Sequence, residues 1–314
     1  MVSVVRPEFE PRHVTEPPVV SPRTLAEAYR LLAASPAPRP LAGGTDVLVE
    51  IADAPPDPAA ASAGFLDLSH LGELRGITRE PEALVIGALT TYAELRHSEA
   101  AGELAPGLVE AAATVGAAQI QNRGTIGGNI GNASPAGDLL PVLLALDAEI
   151  DVGGPQGERG IPAAAFFTGY RQTALAPDEL ILRVRIPLVP GREMRFRKVG
   201  TRRALAISKV ALALAWRTDD PDDKAGSGGP GTKAAGRWFD VRVALGSVAA
   251  TVIRARATER VLEGALLTPD VAALAAETLA AELHPIDDVR STAEYRRTVA
   301  ARILHRMLRD AGGW

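Results

Sequence analysis

The sequence of 314 residues contains no cysteine. Without cysteine the chain has no disulfide bond and no thiol nucleophile, and it offers no sulfur ligand for an iron–sulfur cluster. Disulfide stabilisation and cysteine-based catalysis or metal binding are therefore excluded for this chain.

Aromatic residues make up only 4% of the sequence, and the formal net charge is −4 with a pI near 5.8. Single-stranded nucleic acids stack on aromatic side chains, and polyanions are bound by basic surfaces. Neither feature is present in this composition, so no nucleic-acid partner is expected.

Long apolar runs are missing as well. The longest candidate, LLPVLLAL at 139–146, contains Pro141 and falls short of the ~20 residues that span a bilayer. The opening segment has no continuous apolar stretch of the kind found in signal peptides. We therefore expect no membrane span and a cytoplasmic location.

The usual catalytic and metal-binding patterns are also lacking. The five histidines are scattered without an H-x-x-x-H pair, no glycine precedes Lys-Ser or Lys-Thr, and G-x-S-x-G does not occur. The sequence therefore predicts no metal site and no catalytic residue of its own.

The length predicts two or three domains. Thr24-x-x-Glu27 has the spacing of a capping box and predicts a helix, and Thr45-Asp46 can cap a second helix that VLVEIA begins at Val47. The period-two apolar pattern of LILRVRI predicts a strand. Up to about residue 190, short strands alternate with helices and glycine-rich turns, whereas MRFRKV, KVALALAWR and WFDVRVALGSV then read as an antiparallel sheet followed by helices. We expect an α+β protein with domains at 1–190 (subdomains 1–65 and 66–190) and 191–314. A polar, glycine-rich insertion at 218–236 interrupts the second domain.

Ser291-x-x-Glu294 predicts a capping box before the last helix. The arginines of that helix are interpreted as a solvated face, with a docking patch for a partner as the alternative; they are Arg296, Arg297, Arg302, Arg306 and Arg309.

What the sequence does contain is two glycine-rich motifs, LAGGTDVL at 41–48 and TIGGNIGNASPAGDLLP at 125–141. A run of backbone N–H groups can form an anion site, and glycine lets the backbone approach a phosphate. Gly43, Gly44 and Thr45 give one such run ahead of a predicted helix. Gly124, Gly127, Gly128 and Gly131 give a second, to which Thr125 and Asn129 add side-chain donors. The alternative is that each motif is a turn requiring positive φ. The motifs together predict a diphosphate site.

Asp138 closes the second motif at the predicted start of a helix. It can cap that helix, or it can accept hydrogen bonds from a sugar or ribityl hydroxyl. Both readings stay open from the residues alone.

The two motifs, in this order, resemble those of the flavin-binding medium subunit of the molybdenum hydroxylases, the family that includes the medium subunit of carbon monoxide dehydrogenase and the flavin domain of xanthine dehydrogenase. The resemblance continues through FFTGYRQTALAPDELILRVRIP, FRKVGTRRALAISKVALAL and DVRSTAEYRRTVAARIL, and it covers roughly residues 20–314 apart from the insertion. It implies a two-subdomain FAD-binding module of the PCMH (vanillyl-alcohol-oxidase-like) type. A C-terminal domain with a three-stranded antiparallel sheet and helices is expected to follow.

The resemblance also implies which residues contact non-covalently bound FAD. Lys198 matches a lysine that approaches the cofactor from the C-terminal domain; the alternative is a solvated strand lysine. Ile181 matches a position whose backbone lies near the flavin, which is compatible with a core strand residue. Where some members have an aromatic ring, this chain has Val115, which is not assigned as a contact. The implied contacts are Leu41, Ala42, Gly43, Gly44, Thr45, Asp46, Val47, Thr125, Ile126, Gly127, Gly128, Asn129, Asp138, Ile181 and Lys198.

In the family, electrons released at a molybdenum cofactor pass through two [2Fe-2S] clusters to FAD and then to NAD+ or another acceptor. The resemblance therefore implies an iron–sulfur partner and a large molybdenum partner, forming a heterotrimer or a dimer of heterotrimers. Two other classes stay open: a self-contained FAD-dependent oxidase or reductase of related fold, and a non-enzymatic glycine-rich binding module.

Overall fold

The structure, a computed structural model, describes residues 17–53, 63–202, 205–219 and 236–314. Residues 220–235, most of the predicted insertion, lie outside the described residues. No helix within the described ranges is long and apolar enough to cross a membrane.

The N-terminal subdomain is a small parallel sheet with two helices. Its central strand pairs in parallel with the two others, in the order β1-β3-β2. Thr24 caps the first helix by accepting the N–H of Glu27 at 3.2 Å. The elements are β1 (Val19–Val20), α1 (Leu25–Leu32), β2 (Arg39–Leu41), α2 (Val47–Asp53) and β3 (Phe65–Asp67).

The second subdomain is built on a five-stranded antiparallel sheet in the order β4-β5-β10-β6-β7. The predicted strand LILRVRI is β10, at its centre. Its apolar side chains are buried, and Arg183 and Arg185 point to the opposite, half-buried face. The elements are a 3-10 helix (Gly72–Leu74), β4 (Ile77–Arg79), β5 (Ala83–Gly87), α3 (Tyr92–His97), α4 (Glu99–Leu104), α5 (Pro106–Thr114), α6 (Ala118–Gln121), α7 (Ile126–Asn132), α8 (Leu140–Ala145), β6 (Glu149–Gly154), β7 (Gly157–Pro162), α9 (Ala163–Phe166), β8 (Phe167–Gly169), β9 (Gln172–Thr173) and β10 (Leu180–Pro187).

The C-terminal part has one antiparallel sheet in the order β11-β12-β13-β14, followed by three helices. The sheet has four strands rather than the predicted three, because a two-residue strand pairs with the end of β13. Such a short strand carries no periodicity by which a sequence could reveal it. The last helix is capped by Thr292, not by the predicted Ser291. The elements are β11 (Glu193–Val199), β12 (Val210–Thr218), β13 (Trp238–Gly246), β14 (Ile253–Arg254), α10 (Arg256–Leu262), α11 (Pro269–Glu282) and α12 (Ala293–Gly312).

Strand β12 joins the two parts through its alternating side chains. One face carries the small residues Ala211, Ala213 and Ala215, which belong to the same core cluster as the helices and sheet of the second subdomain. The other face carries large residues such as Leu212 and Leu214, which pack against the C-terminal helices. Because successive strand residues point to opposite faces, the small face lets α8 approach closely and the large face fills the C-terminal core.

An ion-pair cluster lies along the same junction. Asp147, between α8 and β6, accepts hydrogen bonds from Arg192, Arg242 and Arg254. Arg192 and Arg254 have side chains no more than 7% exposed, so these pairs are screened less than surface pairs. The predicted boundary near residue 190 falls between β10 and β11, next to this junction.

Candidate functional site

The first glycine motif leaves strand β2, turns, and enters helix α2 at Val47 as predicted. Gly44 has φ +75°, a conformation that L side chains rarely adopt. Within the described residues, no acceptor is paired with the backbone N–H groups of residues 43–47. The motif therefore presents a run of open donors, which is the property an anion site requires.

The second motif is not an open loop. Residues from Ile126 to Asn132 form helix α7, and the Thr125 hydroxyl caps it by accepting the N–H of Gly128 at 3.0 Å. The N–H groups of Ile126 and Gly127 donate to the carbonyls of Thr90 and Ala88, at 3.0 and 2.8 Å. The sequence-based expectation that these glycines offer a run of open amides is therefore wrong, because neighbouring segments already use those donors.

What the second motif offers instead is space. A Cβ atom on Gly128 would meet only the Thr125 hydroxyl, at 3.0 Å, and one on Gly131 would meet only Ile181 Cδ1, at 3.6 Å. Both glycines are exposed and line the same cavity. By contrast, Gly127 is buried against Ala88, whose Cβ and carbonyl oxygen would both lie 2.7 Å from an added Cβ. Gly127 thus holds the helix close to the sheet, whereas Gly128 and Gly131 leave the cavity open.

The two motifs touch each other. A Cβ on Gly43 would lie 1.9 Å from the carbonyl oxygen of Arg123 and 3.0 Å from Cα of Gly124. Two backbone segments can approach this closely only where a side chain is missing. The motifs therefore form one site although many residues separate them in sequence.

That site contains a cavity of about 260 Å³ between the motifs. A second cavity of about 880 Å³ continues toward the C-terminal domain. The predicted residues that line the smaller cavity are Ala42, Gly43, Gly44, Thr45, Asp46, Val47, Thr125, Gly127, Gly128, Asn129 and Ile181. Those that line the larger are Thr45, Asp46, Asn129, Asp138 and Lys198.

Two of the predicted residues line neither cavity. Leu41 is half-buried at the end of β2, where its carbonyl accepts the N–H of Leu68 at 3.0 Å. Ile126 is fully buried in the central core. Ile181 is only 8% exposed, so it is both a core strand residue and part of the cavity wall.

Asp138 and Lys198 come from different domains and meet in the larger cavity. Lys198 Nζ donates to Asp138 Oδ2 at 2.5 Å and to the carbonyl of Thr114 at 2.9 Å. Their side chains are 7% and 10% exposed, so the reading of Lys198 as a solvated strand lysine is wrong. Asp138 is not a helix cap either, because the N-cap of α8 is Leu139 without a side-chain hydrogen bond. Burial raises the pKa of Asp138, and the ammonium of Lys198 offsets part of that rise.

Two buried acceptor atoms at the site have no donor among the described residues: Oδ1 of Asn129 and Oδ1 of Asp138. Unpaired buried acceptors are rare because they lose hydration without replacement. A ligand with hydroxyl or amide donors would fit this wall.

Sequence reasoning missed Tyr92, which lines both cavities and is 4% exposed. Its backbone N–H donates to the carbonyl oxygen of Gly124 at 3.1 Å, and its ring fills the space that a Cβ on Gly124 would need. Burial raises the pKa of its phenol, and the charges of Asp46 and Asp138 raise it further, so the hydroxyl stays protonated. The only sequence signal was its place after the helix cap Thr91, which says nothing about a cavity.

A polar bridge across the site was missed as well. Arg171, at the tip of the β8–β9 hairpin, donates to Asn132 Oδ1 at 2.9 Å, and Asn132 Nδ2 donates to Asp46 Oδ2 at 2.9 Å. All three residues line the larger cavity. The hairpin tip is thereby tied to both glycine motifs.

The C-terminal wall of the larger cavity centres on Arg296, which is 2% exposed rather than part of a solvated face. It donates to the carbonyls of Lys209 and Ser247 and to Asp288, at 3.0, 2.6 and 2.6 Å. Burial disfavours ionisation of Asp288, but hydrogen bonds from Arg290, Ser291 and Arg296 outweigh it and lower its pKa to about 2. Val115 also lines this cavity. In the ranges described, no group of three or more potential ligands could hold a metal ion.

Comparison with known proteins places this site in context. The chain matches the family of the FAD binding domain in molybdopterin dehydrogenase over residues 9–189. It matches the CO dehydrogenase flavoprotein C-terminal domain over residues 195–311. It is 30% identical to the xanthine dehydrogenase FAD-binding subunit of Escherichia coli O157:H7, over 92% of this chain and 95% of that protein. It is also 30% identical to the carbon monoxide dehydrogenase medium chain of Hydrogenophaga pseudoflava, over 93% of this chain and 95% of that protein.

Solved structures agree. A carbon monoxide dehydrogenase structure from Hydrogenophaga pseudoflava is similar with a TM-score of 0.82 at 30% identity, covering 92% of this chain and 96% of that one. Quinoline 2-oxidoreductase from Pseudomonas putida 86 gives a TM-score of 0.82 at 25% identity, covering 94% of this chain and 96% of that one. The α+β fold class, with its FAD-binding module and flavoprotein C-terminal domain, is confirmed.

Proposed function

The chain belongs to the family of FAD-binding medium subunits of molybdenum-containing dehydrogenases, and we propose that it is the electron-transfer subunit of such an oxidoreductase. One observation carries the proposal: two distant glycine motifs meet at Gly43 and Arg123 and line a site that extends to Lys198 of the C-terminal domain.

The residues present fit FAD. Open amides at 43–47 suit a diphosphate, and the surface of Gly128 and Gly131 leaves room beside them. The unpaired acceptors of Asn129 and Asp138 suit the hydroxyl groups of a ribityl chain. The smaller cavity, about 260 Å³, is slightly below the usual volume of ligand pockets, about 300–1,000 Å³, and the larger, about 880 Å³, lies within that range.

When bound, FAD supplies redox chemistry in steps of one or two electrons, which suits it to link a one-electron cluster to a two-electron acceptor. This chain's residues hold and surround the cofactor. The open N–H groups of the first motif would donate hydrogen bonds to the diphosphate, and the glycines of the second would leave room for it. The Asp138–Lys198 pair joins the two domains beside the site. The fifteen contacts predicted from the sequence are proposed as the binding set, with Tyr92 added.

The chain's composition determines what its partners must supply. It has no cysteine, so [2Fe-2S] clusters must be held elsewhere, and the molybdenum cofactor is assigned to a large subunit. Relatives carry the names medium chain, medium subunit and dehydrogenase complex subunit alpha, which are names of parts of larger enzymes. We propose a heterotrimer, or a dimer of heterotrimers, that passes electrons to NAD+ or another acceptor. The cytoplasmic location expected from the sequence stays a prediction.

The test is the flavin content of the purified chain. We expect the wild-type chain to retain FAD and Gly128→Val to lose it, because a valine at this position would enter the cavity. Gly102→Val is the matched control, since Gly102 is an exposed helical glycine with no neighbour within 4 Å of an added Cβ.

Each alternative predicts a different result. A colourless chain that takes up no FAD would indicate a binding module without flavin. Purification of the tagged native protein should bring down a cluster-containing subunit and a molybdenum subunit. A solitary yellow protein that oxidises an organic substrate would instead indicate a self-contained oxidase.

A further inference from the structure

A separate cavity of about 510 Å³ borders the edge of the C-terminal sheet. Strand β11 forms that edge, because among the described strands it pairs only with β12. All six consecutive residues from Met194 to Val199 line the cavity. Successive side chains of a strand point to opposite faces, so a cavity that touches all six follows the edge of the strand rather than one face. We call this cavity the edge groove.

Helices cover both faces of β11 and leave the edge groove between them. On one face, Met194 packs against Gly107 of α5. On the other, Arg195 donates to the carbonyl oxygen of Asp310 in α12, at 3.4 Å. The residues that these two helices contribute to the groove are Glu110, Ile303, Arg306, Met307 and Asp310. The groove therefore has a strand edge as its floor and a helix along each side.

The backbone of β11 can donate hydrogen bonds into the groove. In an antiparallel sheet, every second residue of an edge strand directs its N–H and C=O groups away from the neighbouring strand. Within the described residues, no backbone N–H of residues 194–199 donates to a group outside the sheet. An extended peptide in the groove would satisfy these groups by adding a fifth strand to the sheet.

The charges of the groove favour an acidic occupant. Asp310 already pairs with Arg306 and Arg309. Arg197 is exposed and, in the part of the chain that the structure describes, has no hydrogen bond or ion pair. A second copy of β11 would place arginines opposite arginines, and like charges in facing positions destabilise strand pairing. The basic residues outnumber the acidic ones, since the groove contains Arg195, Arg197, Lys198 and Arg306 against Glu110 and Asp310.

We propose that the edge groove docks an extended, acidic segment of a partner subunit, which adds to the sheet as a strand beside β11. The inference rests on the proposed multi-subunit function and goes beyond it by naming a docking surface and the segment that fits it. Six residues of a strand span about 20 Å, so a segment of about six residues would fill the groove. Acidic side chains of the segment would face Arg197, and alternate apolar ones would pack against Ile303 and Met307.

The first test measures peptide binding to the full chain loaded with FAD. The probes are two capped, fluorescently labelled seven-residue peptides, one alternating valine with glutamate and the other alternating valine with lysine. We expect the glutamate peptide to bind more tightly in anisotropy titrations. Arg197→Glu should weaken its binding by about tenfold, because an attractive pair becomes repulsive. Arg260→Glu is the matched control, since Arg260 is exposed on α10 and does not line the groove.

Amide hydrogen exchange then shows whether the bound segment forms a strand. The glutamate peptide should slow exchange in residues 194–199 of the isolated chain, because hydrogen-bonded amides exchange slowly. The same residues should be protected in the native enzyme purified with its partner subunits. Equal binding of the two peptides, or equal effects of the Arg197 and Arg260 variants, would overturn the inference.

The exchange measurement also separates this inference from the proposed function. An enzyme that contains FAD and partner subunits, but whose residues 194–199 exchange as fast as in the isolated chain, would refute only the docking inference. A native protein that purifies without FAD or without partner subunits would refute the proposed function itself.

Discussion

The two glycine motifs have similar compositions but different physical roles. The first, at 41–48, leaves its backbone N–H groups open, whereas the second, at 125–141, uses the corresponding groups to cap α7 and to bind neighbouring carbonyls. The first motif therefore provides donors and the second provides space, together with the charged residue Asp138. Glycine content alone indicates that a backbone must come close to something, but not whether that partner is a ligand or the protein itself.

The largest effect is expected at the end of the second motif. Asp138→Ala removes the carboxylate from a buried pair and leaves Lys198 with only the Thr114 carbonyl. Breaking a buried pair in this way costs about 3 kcal/mol, so the apo chain should lose about that much free energy of unfolding. Urea denaturation of the apo chain measures it. A loss below about 1 kcal/mol would mean that the pair contributes little to the domain interface.

A smaller loss is expected where the motifs touch. Gly43→Ala would place Cβ 1.9 Å from the Arg123 carbonyl oxygen, so the motifs must separate. Overpacking against backbone should reduce the free energy of unfolding by about 2 kcal/mol, with loss of bound FAD. Gly72→Ala is the control, since an added Cβ there meets nothing within 4 Å. If the alanine variant of Gly43 holds FAD like the wild type, contact between the motifs is not required.

Replacing one threonine in each motif tests whether the first motif serves FAD binding and the second serves the stability of the fold. Thr125→Ala removes the cap of α7 and should lower the free energy of unfolding of the apo chain by about 1 kcal/mol. Thr45→Ala should leave that free energy unchanged within about 0.5 kcal/mol and weaken FAD binding instead, because Thr45 lines both cavities. Denaturation and FAD titration of both variants check this. The opposite assignment of effects would reverse the roles given to the motifs.

The smallest expected effect is a pH dependence at Asp138. Burial raises its pKa in the folded state, so the folded state favours the protonated carboxyl. The stability gained from this preferential proton binding is complete below the unfolded pKa of 3.8 and is lost as the pH rises through the raised value. Asp138→Asn cannot ionise, so the wild type should lose stability relative to this variant as the pH increases. A relative gain would show that attraction to Lys198 outweighs burial.

Much of the local structure followed from the sequence. The period-two pattern of LILRVRI predicted β10, and the N-cap at Thr24 and the start of α2 at Val47 were confirmed. These features depend on neighbours a few residues away. The start of the last helix was wrong by one residue, since Ser291 and Thr292 are both good caps. The fourth strand of the C-terminal sheet was missed because it has only two residues, too few to show a period-two pattern.

The site was predicted only in part. The resemblance brought together residues of both domains that share the two cavities, and their contacts with FAD stay a prediction. Tyr92 was missed because an aromatic residue at the start of a helix is usually part of the hydrophobic core, and its sequence position does not indicate a cavity. Arg296 was misassigned to a solvated face because the period of a helix shows which side a residue occupies, not which segment covers that side.

By itself, the sequence excluded any cluster held by cysteine. It also determined the helices and strands that depend on local periodicity and capping. Its two glycine motifs indicated two places where the backbone comes close to another group. Only the tertiary structure decided which amides remain open, because the carbonyls of Ala88 and Thr90 that occupy the second motif come from a segment far away in the chain. It also decided that Asp138 faces Lys198 across the domain interface. Hydrogen-bonding capacity is encoded residue by residue, but its use depends on which groups the folded chain brings within reach.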